Sequence, residues 1–279
     1  MIFILLWTTL IYSPVAHWVW GDGGWLRNIG TLDFAGGTVV HILAGFSALA
    51  GAIVIGRRKI GNSSNRPSNV PFVILGAVLL WFGWFGFNGG SALAANGIAI
   101  NALVVTNIAA AFAALSWMIV DWFTKGKPSA TGIAIGAVCG LVAITPASGF
   151  VGPLSSMAIG LIAGMISNFV ANWRIERTKL DDTLDVFACH GVAGVWGALA
   201  TSIFASIAIN PSGANGLLFG NPIQLVIQII AIIVSAGFAF IGSYILLKII
   251  EKTIGLRVSE EVEQKGLDIT VHGEFDFEE

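Results

Sequence analysis

Two histidines lie where an apolar chain gives them little welcome. His41 closes the stretch DFAGGTVVH, which begins at Asp33, and His190 closes DVFACH, which begins at Asp185. A neutral imidazole donates from one ring nitrogen and accepts at the other, so two that meet can bond each other without a fixed charge. Either histidine alone reads equally well as a bond to a neighbouring helix. Two of them, each preceded by an aspartate and followed by glycine-rich sequence, favour a pair lining a lumen. Two imidazoles without a third ligand make a poor zinc site. Cys139 and Cys189 both fall in apolar runs, which gives no disulfide framework and no metal-ligand spacing, and they read as buried thiols. No nucleophile–base arrangement accompanies the histidines, so enzyme chemistry is not indicated and no cofactor or metal is expected.

The aspartates read differently. Asp33 stands where an N-cap would, able to accept from the free amides around Ala35 to Gly37, and its charge suits the positive end of the helix dipole. An unpartnered aspartate at depth would cost about 3 kcal/mol on insertion scales, which argues for an anchor rather than a ligand. Asp185 reads as the same device on the opposite side of the membrane.

Membrane is the right word, because hydrophobic residues make up 56% of the 279 residues and charged residues 11%, against about a quarter charged in a soluble domain. A net charge of −2 points to neither nucleic acid nor an acidic partner. Crossing a bilayer takes roughly 20 apolar residues. Eight stretches qualify as candidate spans, at 1–17, 36–56, 71–92, 100–124, 131–147, 152–173, 185–208 and 222–250, separated by turn-rich breaks such as KGKPS and NPSGANG. The fold class is therefore an all-α polytopic membrane protein, with residues 1–255 in the transmembrane domain and 256–279 a polar tail.

Lysine and arginine set the expected sidedness. Arg57, Arg58, Lys59 and Arg66 mark the second connection, Lys125 and Lys127 the fourth, Arg174, Arg177 and Lys179 the sixth. Lys248, Lys252 and Arg257 close the last span, and Arg27 is the exception on the other side. By the positive-inside rule the even connections and the C-terminus are cytoplasmic, and with eight spans so is the N-terminus. Met1 enters an apolar run with no basic residue before it, unlike a signal peptide. The first span is read as a true helix whose upstream neighbours are missing. On a helical wheel His41 shares its face with Gly37, Ala44, Gly45 and Ala48, and His190 with Gly194, Gly197 and Ala198. Small residues at that spacing let helices approach closely, so the two histidines are expected to meet at a tight seam.

The ordered motifs DFAGGTVVH, GWFGFNGGSA, TPASGFVGP and DVFACHGVAGVWG, with the tail GLRVSEEVEQKGLDITVHGE, closely resemble the ammonium transporter (Amt/Mep/Rh) family over essentially the whole chain. That family has eleven spans, and this chain resembles spans four to eleven. The resemblance implies two inverted five-helix repeats plus a long final helix, the histidine elements entering from opposite faces. It implies that His41 and His190 are paired pore histidines, that Trp20 and Ser91 form an external recruitment site, and that Phe87 is one of two stacked gate phenylalanines. Trp18 lies close enough to Trp20 to compete for that match. Trp84 and Tyr12 are implied pore-lining residues. A homotrimer in the cell membrane, ammonium or ammonia as the substrate, and a PII-type signal protein at the cytoplasmic face are the implied assembly and partners, with the lipid bilayer as surroundings. An ammonium sensor or an Rh-like gas or methylamine channel on the same scaffold is the alternative. The sensor is disfavoured because no kinase, cyclase or phosphorelay segment follows the tail. Retention of Trp20 and Ser91 favours the ammonium branch over the Rh-like one.

Overall fold

The computed structural model describes residues 1–59, 67 and 69–274; Arg66 and the last five residues of the tail, both assigned from sequence, lie outside the described residues. Eight helices fall on the eight predicted stretches. The first, α1, runs Ile2–Trp7, through a π-helical turn at Thr8–Tyr12, and on through Ser13–Trp20. Helix α2 opens as a π-helical turn, Gly37–Ile42, and continues as Leu43–Ile55. Then come α3 (Val70–Gly90), α4 (Gly97–Lys125), α5 (Ala130–Ile144) and α6 (Pro153–Arg177). Helix α7 repeats the pattern of α2, a π-helical turn at Phe187–Val192 followed by Ala193–Phe204. The last span is α8 (Ile223–Thr253), and a short α9 (Glu260–Lys265) lies in the tail.

Of α1 to α8, all but α5 are long and apolar enough to cross a membrane. At 15 residues, α5 extends about 22 Å at 1.5 Å per residue, short of a hydrocarbon core of about 30 Å. The rest of its passage is the turn-rich segment 145–150, buried throughout. Irregular backbone at that depth survives only where protein satisfies it. Here Phe34 N–H donates to the Pro146 carbonyl at 3.1 Å and Ser206 N–H to that of Phe150 at 2.9 Å. The Asn101 amide donates to the carbonyls of Ser148 and Val151 at 3.2 and 3.0 Å. The sequence expectation of a span at 131–147 is thus corrected at its end: TPASGF is a buried turn, not helix.

Helix α4 packs along both α5 and α6. Its Ala109 is sandwiched by glycines: a Cβ on Gly140 of α5 would come within 2.4 Å of the Ala109 carbonyl oxygen, and one on Gly160 of α6 within 2.2 Å. Close backbone approach replaces hydrophobic driving force in lipid, and glycine alone permits it. Helices α2 and α7 cross at the centre, with α8 laid over both.

The ends of the helices fix their directions. Arg58, just past the end of α2, forms a fork on Asp181, which precedes α7, with Nε and Nη2 each 2.9 Å from a carboxylate oxygen. The two histidine helices therefore run antiparallel, as an inverted repeat requires. On the same face Lys59 N–H donates to Glu263 at 2.8 Å, Lys59 pairs with Glu260 at 3.1 Å, and Arg257 donates to the Ile55 carbonyl at 3.2 Å. The second and sixth connections and the tail thus share one face, in agreement with the grouping of basic residues. The Arg58 guanidinium holds the Asp181 carboxyl below the usual carboxylate range.

Candidate functional site

The two histidines meet. Nδ1 of His41 lies 3.1 Å from Nδ1 of His190, with ring centroids 5.3 Å apart. One nitrogen donates and the other accepts, leaving the two Nε2 atoms in opposite hydrogen-bonding states. His41 is buried, and its Nε2 has no partner. Leaving a buried polar atom unsatisfied carries a penalty of about 1–3 kcal/mol, so this nitrogen calls for an explanation.

Each histidine rides on a π-helical turn, a feature frequent at functional sites. In α2 the His41 amide reaches back five residues to the Gly36 carbonyl at 3.1 Å. Just past the first turn, α2 touches the second turn through glycine. A Cβ on Gly45 would stand 2.1 Å from the Gly191 amide nitrogen and 2.2 Å from its Cα. The backbones are in direct contact there, four residues from one histidine and one from the other.

Asp33 secures the start of α2 more fully than a single cap. Its Oδ1 accepts from the amides of Gly36 and Gly37 at 2.9 and 2.7 Å, and its Oδ2 from those of Thr38 and Val39 at 2.8 and 3.2 Å. The expected range of Ala35 to Gly37 is thereby shifted toward the helix, because the π-helical opening leaves four amides pointing at one carboxylate. Asp185 does not play the same part at α7, and the expectation for it is corrected. The cap is Asp182, whose Oδ2 accepts from Phe187 N–H at 2.7 Å. Both capping aspartates stand eight residues before their histidine, 41 − 33 and 190 − 182. Asp185 turns away to Arg174, which donates to its Oδ1 from Nε at 3.2 Å and Nη2 at 2.9 Å. Burial holds the Asp185 carboxyl above the usual range, with Arg174 opposing.

Aromatic residues cover His41. Trp84 stacks on it, centroids 5.3 Å apart and planes 16° from parallel. The indole N–H is fixed by Thr145 Oγ1 at 2.9 Å, which itself donates to the Leu141 carbonyl at 2.7 Å. Phe87 follows at 5.4 Å from Trp84 and 6.1 Å from His41, and is 40% exposed. Phe87, Trp84, His41 and His190 form a continuous column leading inward from the end of α3. Ser91 lies at that end, its hydroxyl donating to the Phe87 carbonyl at 2.8 Å.

Trp20 sits at the end of α1, exposed, with its indole donating to the Asp33 carbonyl at 2.8 Å. Trp18 packs instead against Phe238 and Trp25, centroids 4.9 and 6.1 Å away. Of the two, Trp20 is the one that offers a ring to solvent. No hydrogen bond joins Trp20 to Ser91 among the described residues. Tyr12 lies against Trp7, ring centroids 5.9 Å apart and planes tilted by 34°, and makes no ring contact with His41 among the described residues. Thr145 was missed in the sequence, where a threonine in TPASGF carries no signal of its own.

A model described as the Ammonium Transporter Family matches residues 1–277. The chain is 52% identical over 270 residues to the ammonium transporter Amt1 of Archaeoglobus fulgidus, covering 96% of this chain and 68% of that protein. It is 47% identical over 274 residues to an ammonium transporter of Bacillus subtilis, covering 98% and 67%. The crystal structure of Candida albicans Mep2 superposes with a TM-score of 0.88 at 37% identity, over 94% of this chain and 60% of that one. A sensor Amt protein superposes with a TM-score of 0.85 at 36% identity. The chain thus spans about two thirds of the length of these relatives, or somewhat less.

Proposed function

Since this chain belongs to the ammonium transporter family, we propose that it carries ammonium across the cell membrane, taking up the ion outside and passing neutral ammonia between His41 and His190. The observation that carries this reading is the buried histidine pair under its aromatic column, with one imidazole nitrogen of His41 left without a partner.

The physical reasoning runs from the outside inward. Trp20 offers a face for cation–π attraction worth about 0.5–2 kcal/mol, and the Ser91 hydroxyl can accept one of the four ammonium donors. That concentrates a cation but does not offset the tens of kcal/mol for moving a bare charge into an apolar lumen. Loss of the proton removes that barrier. Ammonia then passes Phe87 and the Trp84 ring to reach the imidazoles, which donate to its lone pair and accept from its N–H groups. A neutral histidine pair gives sodium or potassium no fixed charge to replace their hydration. The solute is protonated again on the far side. Adjacent titratable rings also allow the proton to be relayed along the pair, which would make transport electrogenic.

We assign the C-terminus to the cytoplasm, where α9 lies beside the second connection and a PII-type protein would find it. A homotrimer with one pore per subunit is the assembly the family suggests.

The experiment is uptake of labelled methylammonium by cells lacking their own ammonium transport and expressing the complete protein. His41→Ala is expected to abolish it, and unchanged uptake would sink the pore assignment. Comparing uptake and current with and without a membrane potential decides between the neutral and electrogenic forms.

A further inference from the structure

We propose that Arg174 and Asp185 are positioning residues for His190, together standing in for the glycine that sets the turn before His41; the proposal rests on the pore reading above. The two histidine turns are built in the same register. Three residues after Asp33 comes Gly36, in the left-handed region at φ 119°, and its carbonyl accepts from Val40 and His41 at 2.8 and 3.1 Å. Three residues after Asp182 comes Asp185, also left-handed at φ 52°, and its carbonyl accepts from Cys189 at 2.8 Å. The capping contacts agree as well: Oδ2 of each capping aspartate accepts from the amide five residues on, Thr38 in one case and Phe187 in the other.

Besides the number of amides each capping carboxylate receives, four on Asp33 and one on Asp182, the two turns differ in the residue that takes the left-handed conformation. A left-handed conformation is open to glycine at no steric cost; aspartate enters it more readily than most residues, but its Cβ still carries a cost that glycine does not. Among the described residues Asp185 and Leu93 are the only non-glycines with positive φ, and Leu93 is an exposed loop residue. Asp185 is held from outside. Arg174, at the end of α6, places two guanidinium nitrogens on its Oδ1 and a third on the Leu180 carbonyl at 2.9 Å. The planar fork is suited to such a grip. It ties both flanks of the 180–185 segment to α6, with side-chain exposures of 12% for Arg174 and 17% for Asp185. Without it Asp185 relaxes toward negative φ and its carbonyl leaves the Cys189 amide. The π-helical turn that presents His190, one residue further on, then loses its anchoring bond.

The test is methylammonium uptake by the complete protein. Arg174→Ala is expected to lower uptake on the order of tenfold, the scale of releasing one strained backbone residue. Adding Asp185→Gly to Arg174→Ala is expected to restore most of the loss, because glycine holds the turn without help. Adding Asp185→Ala is expected to restore nothing, because its Cβ keeps the strain. If Arg174→Ala fails to reach the membrane, Arg174→Lys replaces it, since lysine keeps the charge but lacks the fork. The proposal is overturned if the glycine double variant is no better than the alanine one at equal membrane abundance, or if loss of the Arg174 fork leaves uptake unchanged. His41→Ala, measured alongside, separates the two levels of the argument. If that variant still transports, the pore reading is at fault; if it is inactive and glycine gives no rescue, only the clamp fails.

Discussion

Adding one methyl group at the helix crossing should part the histidines. In Gly45→Ala the new Cβ would lie 2.1 Å from the Gly191 nitrogen and 3.0 Å from the His190 carbonyl carbon. Ordinary contact between such atoms is about 3.5 Å, so the backbones must separate by about 1.4 Å, 3.5 less 2.1. The obstacle is main chain on a packed helix and cannot swing aside. Carried through to the side chains, that shift would lengthen the 3.1 Å His41–His190 contact to about 4.5 Å, well past hydrogen-bonding range. Overpacking of this kind costs about 1–3 kcal/mol of stability, and the broken bond adds about 1 kcal/mol. Gly191→Ala makes the informative contrast. Its Cβ would meet the Phe187 ring edge at 3.0 Å, a side chain that can rotate, and Gly45 Cα at 3.4 Å. Methylammonium uptake, with thermal unfolding of the purified protein in detergent, is therefore expected to rank Gly45→Ala well below Gly191→Ala. Wild-type uptake by Gly45→Ala would refute the claim that this crossing holds the imidazoles together.

Two further outcomes follow from the capping and surface contacts. Asp33→Asn keeps one carbonyl oxygen but turns an NH2 group toward two of the four amides now bonded to the carboxylate. Two buried donors left without acceptors should cost about 2–6 kcal/mol, read as a lowered melting temperature together with reduced uptake. The Arg58–Asp181 fork should be insensitive to mild acid. The Asp181 carboxyl is held below its ordinary value, first by the Arg58 hydrogen bond, so its stabilisation is complete above that ordinary value. It fades only as pH falls through the lower folded value. Protection of the amides of residues 178–184 against hydrogen exchange, taken relative to the intrinsic base-catalysed rate at each pH, should therefore be steady between about pH 5 and 8, and Asp181→Asn should lower it at both ends.

The eight helices were legible because bilayer thickness imposes a length that composition reveals, and the boundaries moved by only a few residues. Segment 145–150 escaped because its satisfaction depends on Phe34, Asn101 and Ser206, far away in sequence. His41 and His190 stood out as polar residues in apolar runs, and their meeting followed from the small faces beside them. The second cap was misplaced because Asp181, Asp182 and Asp185 crowd one short stretch, and the one nearest the apolar run was chosen. The signal that identifies Asp182 was present all along, in the shared eight-residue spacing to each histidine. Arg174 was read only as a mark of sidedness, and nothing local could have revealed its grip on a strained turn. Thr145 could not be found either, since its role depends on an indole 61 residues away.

The buried turn after α5 has an electrical consequence. Its carbonyls at Thr145, Pro146, Ala147, Ser148 and Phe150 already accept from protein donors, beside the threonine that fixes the Trp84 indole. Water enters a protein interior where polar atoms lack partners and there is room. A segment with its acceptors already engaged gives a file of water no footing around the outside of the histidine pair. Under the pore reading proposed above, the turn would act as insulation beside the route across the imidazoles.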